Sequence, residues 1–381
     1  MEKKGLTRSD VEALLEQYEN MNVGFDSGRI FGSMCTSPHP FALQVHGRFH
    51  ESNLGNPGLC PGTLEMEREV VSMLGDLLNL KDPSGHVLSG GTEANITAMY
   101  TAKKKSKGRK VIYPRSAHFS ILKSIKLLDM EPVPIGLDDN FRMDLGELEK
   151  KVDEDTAMVI GVAGTTELGA VDPIDRISEL AEGIHLHVDS AFGGFVLPFL
   201  EEMGMTDGRI GPWDFRVPGV SSLSTDPHKM GWSTIPAGCL LFREKDPLKY
   251  LAVGSPYLTS PKAFTLAGTR DSGAVASAFA LMKHLGREGY CELVKRCMEN
   301  TRYLQKRLEE MDLVPVMEPV MNIIAAHHEK PGEVQRMMGQ KGYYISKVCD
   351  PSAIRFVVMP HVNKGSIDEM VPILKDVLGS L

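Results

Sequence analysis

The sequence predicts an α/β protein: a mostly parallel sheet with helices on both faces, followed by a small C-terminal α+β domain. Three observations carry that prediction. Between residues 86 and 242, short apolar runs alternate with helical stretches of roughly 10–15 residues, the rhythm of strand–helix–strand units. Beyond residue 311 the rhythm changes to short strands interrupted by single helices. At 381 residues the chain exceeds what one hydrophobic core usually holds, so a large and a smaller unit are expected.

Residues 7–20 read as a helix capped by Thr7 or Ser9, with Val11, Leu14, Leu15 and Tyr18 along one stripe. The stretch 22–62 is rich in Gly, Pro, Ser and His, has little periodicity, and reads as an irregular segment that is functional or reaches across an interface. A helix at 63–80 carries Leu64, Val70, Val71, Leu74 and Leu77. Strand 86–88 runs through a glycine pair into a helix that ends near the basic run 103–110, where cations suit the helix dipole. Strand 110–113, helix 117–128, strand 132–137, helix 144–152, strand 157–163 and helix 173–181 follow. Strands at 184–188, 220–223 and 238–242 complete the sheet, and 244–270 is again loop-rich. A helix pair at 271–310 leads to strands at 313–316, 323–326, 344–347 and 354–359, with helices at 332–339 and 368–378. The expected division is 1–62 as an N-terminal helix and interface or substrate segment, 63–270 as the large domain, 271–310 as linking helices and 311–381 as the small domain.

Hydrophobic content of 42% and charged content of 24% are those of an ordinary globular protein. A net charge of −8 argues against broad nucleic-acid binding, and no apolar run approaches the ~18 residues that span a bilayer. The N-terminal residues lead into a charged amphipathic helix rather than a secretory segment, so a cytoplasmic protein is expected. Six cysteines stand singly without a Cys-x-x-Cys pair, which points to reduced thiols and no zinc ribbon.

In an open α/β sheet, ligands bind at the carboxyl ends of the strands. Two apolar runs close there on polar clusters: His187-Val188-Asp189-Ser190-Ala191 and Ser224-Thr225-Asp226-Pro227-His228-Lys229. Singly, Lys229 reads as a loop lysine and Asp189 as a helix cap. As a pair after two strands they suit a cofactor that needs an amine for its aldehyde and an acid for its ring nitrogen, which is pyridoxal 5′-phosphate. Upstream, Ser89-Gly90-Gly91-Thr92-Glu93-Ala94-Asn95 sits at a strand-to-helix turn. It reads either as a helix capped by Thr92 or as a phosphate cradle, since glycines admit a ligand and a helix N-terminus offers free N–H groups.

The clusters at 187–191 and 226–229 resemble the signature of the group II pyridoxal-phosphate amino-acid decarboxylases, in particular their archaeal tyrosine/aspartate branch. The resemblance runs over most of the chain and implies a fold-type-I homodimer with its active site shared across the interface. It implies Lys229 as the covalent anchor, Asp189 as partner of the pyridine nitrogen, and Ala191 as the small residue beneath the ring. Gly91 and Thr92 fall where the phosphate is held, with His228, Thr269 and Arg270 as further contacts. Asp226 stands where some relatives have Asn and is left out of that role, because like charges repel. His118 resembles the ring that stacks on the cofactor, and Thr166, in Gly164-Thr165-Thr166-Glu167-Leu168-Gly169, a contact to its ring oxygen. Tyr257 resembles the loop tyrosine, commonly from the partner subunit, that acts as general acid. Arg355 resembles a carboxylate-binding arginine, though on residues alone it reads equally as a salt-bridged strand arginine. Ser37, His39 and Asn53 are candidates for reading the substrate side chain, each equally readable as scaffold.

The activity implied is decarboxylation of an L-amino acid to its amine: L-tyrosine to tyramine for methanofuran, or L-aspartate to β-alanine for coenzyme A. A rival within the cofactor class is a carbon–carbon lyase of the sphingosine-phosphate-lyase kind. A rival outside it is a metal-dependent hydrolase, because His185, His187 and Asp189 alternate along one strand face.

Overall fold

The computed structural model describes residues 1, 3–206 and 208–381. The chain begins with α1 (Arg8–Glu19), closed at its start by a capping box between Thr7 and Asp10. A second helix, α2 (Pro40–Phe49), lies inside the segment expected to be irregular. It starts at a proline, which lacks the N–H a first turn would leave unpaired, and buries Ala42 and Val45 against a later helix. Ten residues flanked by Pro, His and Gly gave too short a pattern to recognise. After α3 (Pro61–Leu77) come β1 (Ser84–Leu88), α4 (Gly91–Lys105), β2 (Lys110–Pro114) and α5 (Phe119–Leu127). Then follow β3 (Glu131–Ile135), α6 (Leu145–Lys151), β4 (Thr156–Val162), α7 (Ile174–Leu180), β5 (His185–Asp189), the unpredicted α8 (Leu197–Glu202), β6 (Val220–Thr225) and β7 (Gly238–Phe242).

These strands form one seven-stranded sheet in the order β1-β7-β6-β5-β4-β2-β3. From β6 through β3 every neighbouring pair is parallel, and β7 runs antiparallel to both β6 and β1. Both faces are covered, and β4 shows how: Val159 joins one apolar cluster while Met158 and Ile160 join another on the opposite side. Strands buried on both faces read as unbroken apolar runs, which is why the sequence located them well.

Within the loop-rich stretch, β8 (Val253–Gly254) and β9 (Lys262–Ala263) pair as a short hairpin. The expected helix pair is α9 (Ser272–Glu309), kinked at Gly286, whose φ of 56° breaks the helical run. The C-terminal unit contains β10 (Ile323–His327), α10 (Pro331–Gln340), β11 (Ser346–Val348), β12 (Ala353–Val357) and α11 (Lys364–Gly379). Its sheet has the order β10-β12-β11, antiparallel throughout. The strand expected at 313–316 is reduced to one bridge between Pro315 and Ala326. Phe31 crosses from the N-terminal segment into this unit, fully buried, its carbonyl accepting from Val357 N–H. Among the described residues, no helix is long and apolar enough to cross a membrane.

Candidate active site

Strands β5 and β6 are parallel neighbours with Asp189 opposite Ser224, so the turns that follow them emerge side by side at the carboxyl edge of the sheet. The glycine-rich turn before α4 opens onto the same place. There Gly91, Thr92, His118, Thr166, Asp189, Ala191, His228 and Lys229, eight of the residues predicted from sequence, line one cavity of about 290 Å³. A larger space of about 1020 Å³ opens at the opposite, amino ends of β5 and β6 around His185 and Gly219. Its cations are already matched there, Lys105 with Glu244 and Arg216 with Glu201 and Asp214.

Lys229 Nζ lies 3.1 Å from Asp226 Oδ2. Burial opposes the charge on this lysine, but Asp226 and then Asp189 outweigh it and hold the ammonium above its ordinary value. The acid excluded from the phosphate role is thus the lysine's countercharge. His228 Nδ1 sits 2.6 Å from the Ala237 carbonyl oxygen, which fixes the ring at the cavity wall. Asp189 accepts from Asn95 Nδ2 at 2.9 Å and from Ala191 N–H at 3.1 Å. His118 caps α5, with Nδ1 2.9 Å from Ser120 Oγ, and burial lowers its basicity.

The phosphate end is built from backbone. Gly90, not Thr92, takes the N-cap of α4, and no side chain caps the helix. Its φ of 150° is one that only glycine adopts readily. A Cβ on Gly238 would fall 2.4 Å from Gly90 Cα, and one on Gly91 would come within 3.2 Å of Ala191 Cβ and Asp226 Oδ2. The uncapped first turn therefore faces the cavity with its N–H groups, an arrangement suited to an anion.

The profile of the family described as "Pyridoxal-dependent decarboxylase conserved domain" matches residues 58–325. The chain belongs to that family. A pyridoxal-dependent decarboxylase is a carboxy-lyase, and pyridoxal phosphate is its cofactor. A probable L-tyrosine/L-aspartate decarboxylase of Methanothrix thermoacetophila is 45% identical, covering 100% of this chain and 98% of its own. The L-tyrosine/L-aspartate decarboxylase of Methanocaldococcus jannaschii is 39% identical over 99% and 98%. The L-aspartate/L-glutamate decarboxylase of Pyrococcus horikoshii is 41% identical over 98% of each chain. Among solved structures, a sphingosine-1-phosphate lyase of Burkholderia pseudomallei superposes with a TM-score of 0.89 at 26% identity, covering 100% of this chain and 92% of that one. The rival lyase class therefore shares the fold, while the relatives matched over nearly their whole length carry decarboxylase names.

The decarboxylase's cavity fits the cofactor on its own chemistry. An amine, a carboxylate and an uncapped helix N-terminus converge on it, and the buried Asp226 Oδ1 at its wall has no partner.

Other sequence candidates lie elsewhere in the single chain. Arg270 is committed to Glu67, with which it forms a buried ion pair, and to the Val87 carbonyl at 2.8 Å. It lines, with Thr269, an adjoining cavity of about 380 Å³ that shares Ser89 and Glu93 with the first. Tyr257 is 85% exposed and outside the cavity. Arg355 is buried on β12, donating from Nη1 to Ser346 Oγ at 2.8 Å while Nε and Nη2 lack partners, and burial draws its pKa down to about 10 against the pull of Glu167. Asn53 holds backbone, accepting from the N–H groups of Gly55 and Arg270. His39 caps α2 and meets Trp232 edge-on, and the Ser37 carbonyl accepts from Trp232 Nε1–H. None of these three reaches the Lys229 cavity in one chain.

The metal alternative does not survive. Asn95 stands between His187 and Asp189, Ser222 lies between His185 and His187, and the described residues hold no metal-ligating cluster. Nothing near Asn95 in the sequence signals a role for it, because its partners lie on β5, 92 and 94 positions away.

Proposed function

We propose that this enzyme decarboxylates L-aspartate to β-alanine and L-tyrosine to tyramine, as a homodimer in the cytoplasm. The observation that carries the reading is the Lys229–Asp189 cavity, in a chain whose full-length relatives are named for those substrates. Dimerisation is supported by apolar side chains left open to solvent: Val11, Leu14, Leu15 and Tyr18 on α1, and Val253, Phe264 and Leu266 around the β8–β9 hairpin.

When bound, pyridoxal phosphate supplies the electron sink that makes loss of the substrate carboxylate feasible. Lys229 Nζ would hold the cofactor aldehyde and give way to the substrate amine, with Asp226 taking up or returning the proton on that nitrogen. Asp189 would keep the ring nitrogen protonated, a charge-assisted hydrogen bond of about 1.5–3 kcal/mol. Gly91 and Thr92 would hold the phosphate, His228 and Thr166 would border the ring, and His118 would lie against its face. Ala191 leaves room for the ring against β5. Arg355 offers two unpaired donor nitrogens, Nε and Nη2, to a substrate carboxylate. Tyr257 would deliver a proton to the carbon that the carboxylate leaves, from the partner subunit's loop. Thr269 supports the phosphate end from the adjoining cavity.

Incubation of the purified protein with L-tyrosine, L-aspartate and L-glutamate separately, with identification of the amine released, tests the substrate. Borohydride reduction followed by peptide mapping should place the cofactor on Lys229. A label elsewhere, or none, would refute the site.

A further inference from the structure

A buried polar chain that the chemistry above does not use runs behind Asp189. Asn95 Nδ2 donates to Asp189 Oδ2 at 2.9 Å and lies 3.0 Å from Ser120 Oγ, while Asn95 Oδ1 is 3.0 Å from His187 Nε2. His187 Nδ1 is 2.9 Å from Ser222 Oγ, which in turn is 2.8 Å from His185 Nε2. On the other arm, Ser120 Oγ reaches His118 Nδ1 at 2.9 Å.

These contacts admit one direction of donation. A carboxylate only accepts, so the amide nitrogen of Asn95 must face Asp189 and its oxygen must face His187. His187 then carries its proton on Nε2 and accepts at Nδ1 from the Ser222 hydroxyl. Ser222, having given its only proton, accepts from His185 Nε2–H. On the other arm, Asn95 gives its second proton to Ser120, and Ser120 gives its own to His118 Nδ1, which also accepts from Ser120 N–H at 3.3 Å. That leaves the His118 proton on Nε2. Both strand histidines are neutral, desolvation drawing the half-buried His185 down to about 3 and the buried His187 well below the usual imidazole range despite the pull of Asp189, so the chain carries no charge of its own.

We propose that Asn95 is a positioning residue: through one amide group it fixes both the acid that meets the cofactor's ring nitrogen and the imidazole that lies against the ring, with His185–Ser222–His187 locking the amide's orientation. The inference rests on the cofactor reading above and adds to it a reason why Asp189 and His118, on separate elements, keep one geometry. Every polar atom of Asn95, His187 and Ser222 in this network has a partner, His185 Nδ1 at its far end being the exception, and such a network specifies a single arrangement.

Nitrogen-15 spectra of the imidazoles in the cofactor-free protein provide the first test. His187 should be neutral at pH 7 with its proton on Nε2, and a proton on Nδ1 or a charged ring would overturn the proposal. Asn95→Ala should raise the cofactor dissociation constant about tenfold or more and shift the His118 imidazole signals, since a charge-assisted bond to Asp189 is lost. Where that variant does not fold, His187→Gln and His187→Leu replace it. Gln keeps an N–H for Asn95 Oδ1 and should bind the cofactor within about threefold of wild type, whereas Leu should weaken it by about fivefold or more. Equal affinity in the Gln and Leu variants, or unchanged affinity in a folded Asn95→Ala, overturns this inference alone. Wild-type protein that takes up no cofactor overturns the functional reading, and this inference with it.

Discussion

The Lys229 cavity and the segment around the β8–β9 hairpin are built on opposite plans. At the cavity, Asp189, Asn95, Ser224 and Asp226 are buried and tied to one another or to Lys229 by hydrogen bonds and an ion pair. Around the hairpin, Val253, Tyr257, Phe264 and Leu266 stand open, and the two strands pair over two residues each. Helix α1 follows the second plan, with no buried residue along its length. The contrast teaches that the side chains around the Lys229 cavity are tied to one another within one chain. Tyr257, proposed to deliver the proton, lies on an apolar margin of the kind a second copy would cover, whereas Arg355 is buried on β12.

The sharpest break between the two plans comes from Lys229→Ala, which should remove the covalent adduct and lower turnover by on the order of 10⁴-fold or more, as loss of a nucleophile does. Absence of a borohydride-stable label, with the fold retained by circular dichroism, checks it. Tyr257→Phe should leave cofactor affinity unchanged while reducing amine release by about 10²–10⁴-fold, the range of a lost general acid. Mixing the two variants sharpens the comparison. If each site draws its tyrosine from the partner, random reassociation restores about a quarter of wild-type activity, because half the dimers are mixed and each has one intact site. If the tyrosine acts within its own chain, mixing restores nothing.

Smaller effects test the buried side alone. Arg270→Ala would leave Glu67, 2% exposed, without its cation, and should destabilise the fold by about 3–5 kcal/mol in urea unfolding. Glu67 also gives a pH dependence. Burial alone would raise its carboxyl, but His86 and Arg270 override that and hold it at about 2, below the ordinary 4.5. Its contribution of about 3 kcal/mol is therefore complete above pH ~4.5 and is lost as the pH falls towards 2. Unfolding midpoints at pH 6 and pH 3 measure it. On the open margin, Tyr18→Ser should change single-chain stability by less than about 0.5 kcal/mol, yet weaken self-association in sedimentation.

That Lys229 and Asp189 share one cavity was legible because each is announced locally. An apolar strand ends, and a charged residue that has no business in a core follows it, as at Asp189 and Lys229. The covered parallel strands were legible for the same reason. Helix α2 was not, since a ten-residue helix between prolines and histidines owes its apolar face to α9, more than 200 positions on. The surroundings of Arg270 were hidden in the same way. Its motif resembled a phosphate contact, but Glu67, 203 positions upstream, claims the guanidinium.

The amino-acid pattern alone marks out most of the strands and helices, the carboxyl edge of the sheet as the place for a ligand, and Lys229 and Asp189 as the candidate amine and acid. These follow from patterns a few residues long, in which burial and backbone preference act on neighbours in the chain. Only the tertiary structure decided that Asp226 faces Lys229, that Asn95 joins Asp189 to His187 and His118, and that Tyr257 stands outside its own chain's cavity. Hydrogen-bond partners are set by distance and direction in space, and those are fixed only when β1, β5 and β6 take their places in one sheet.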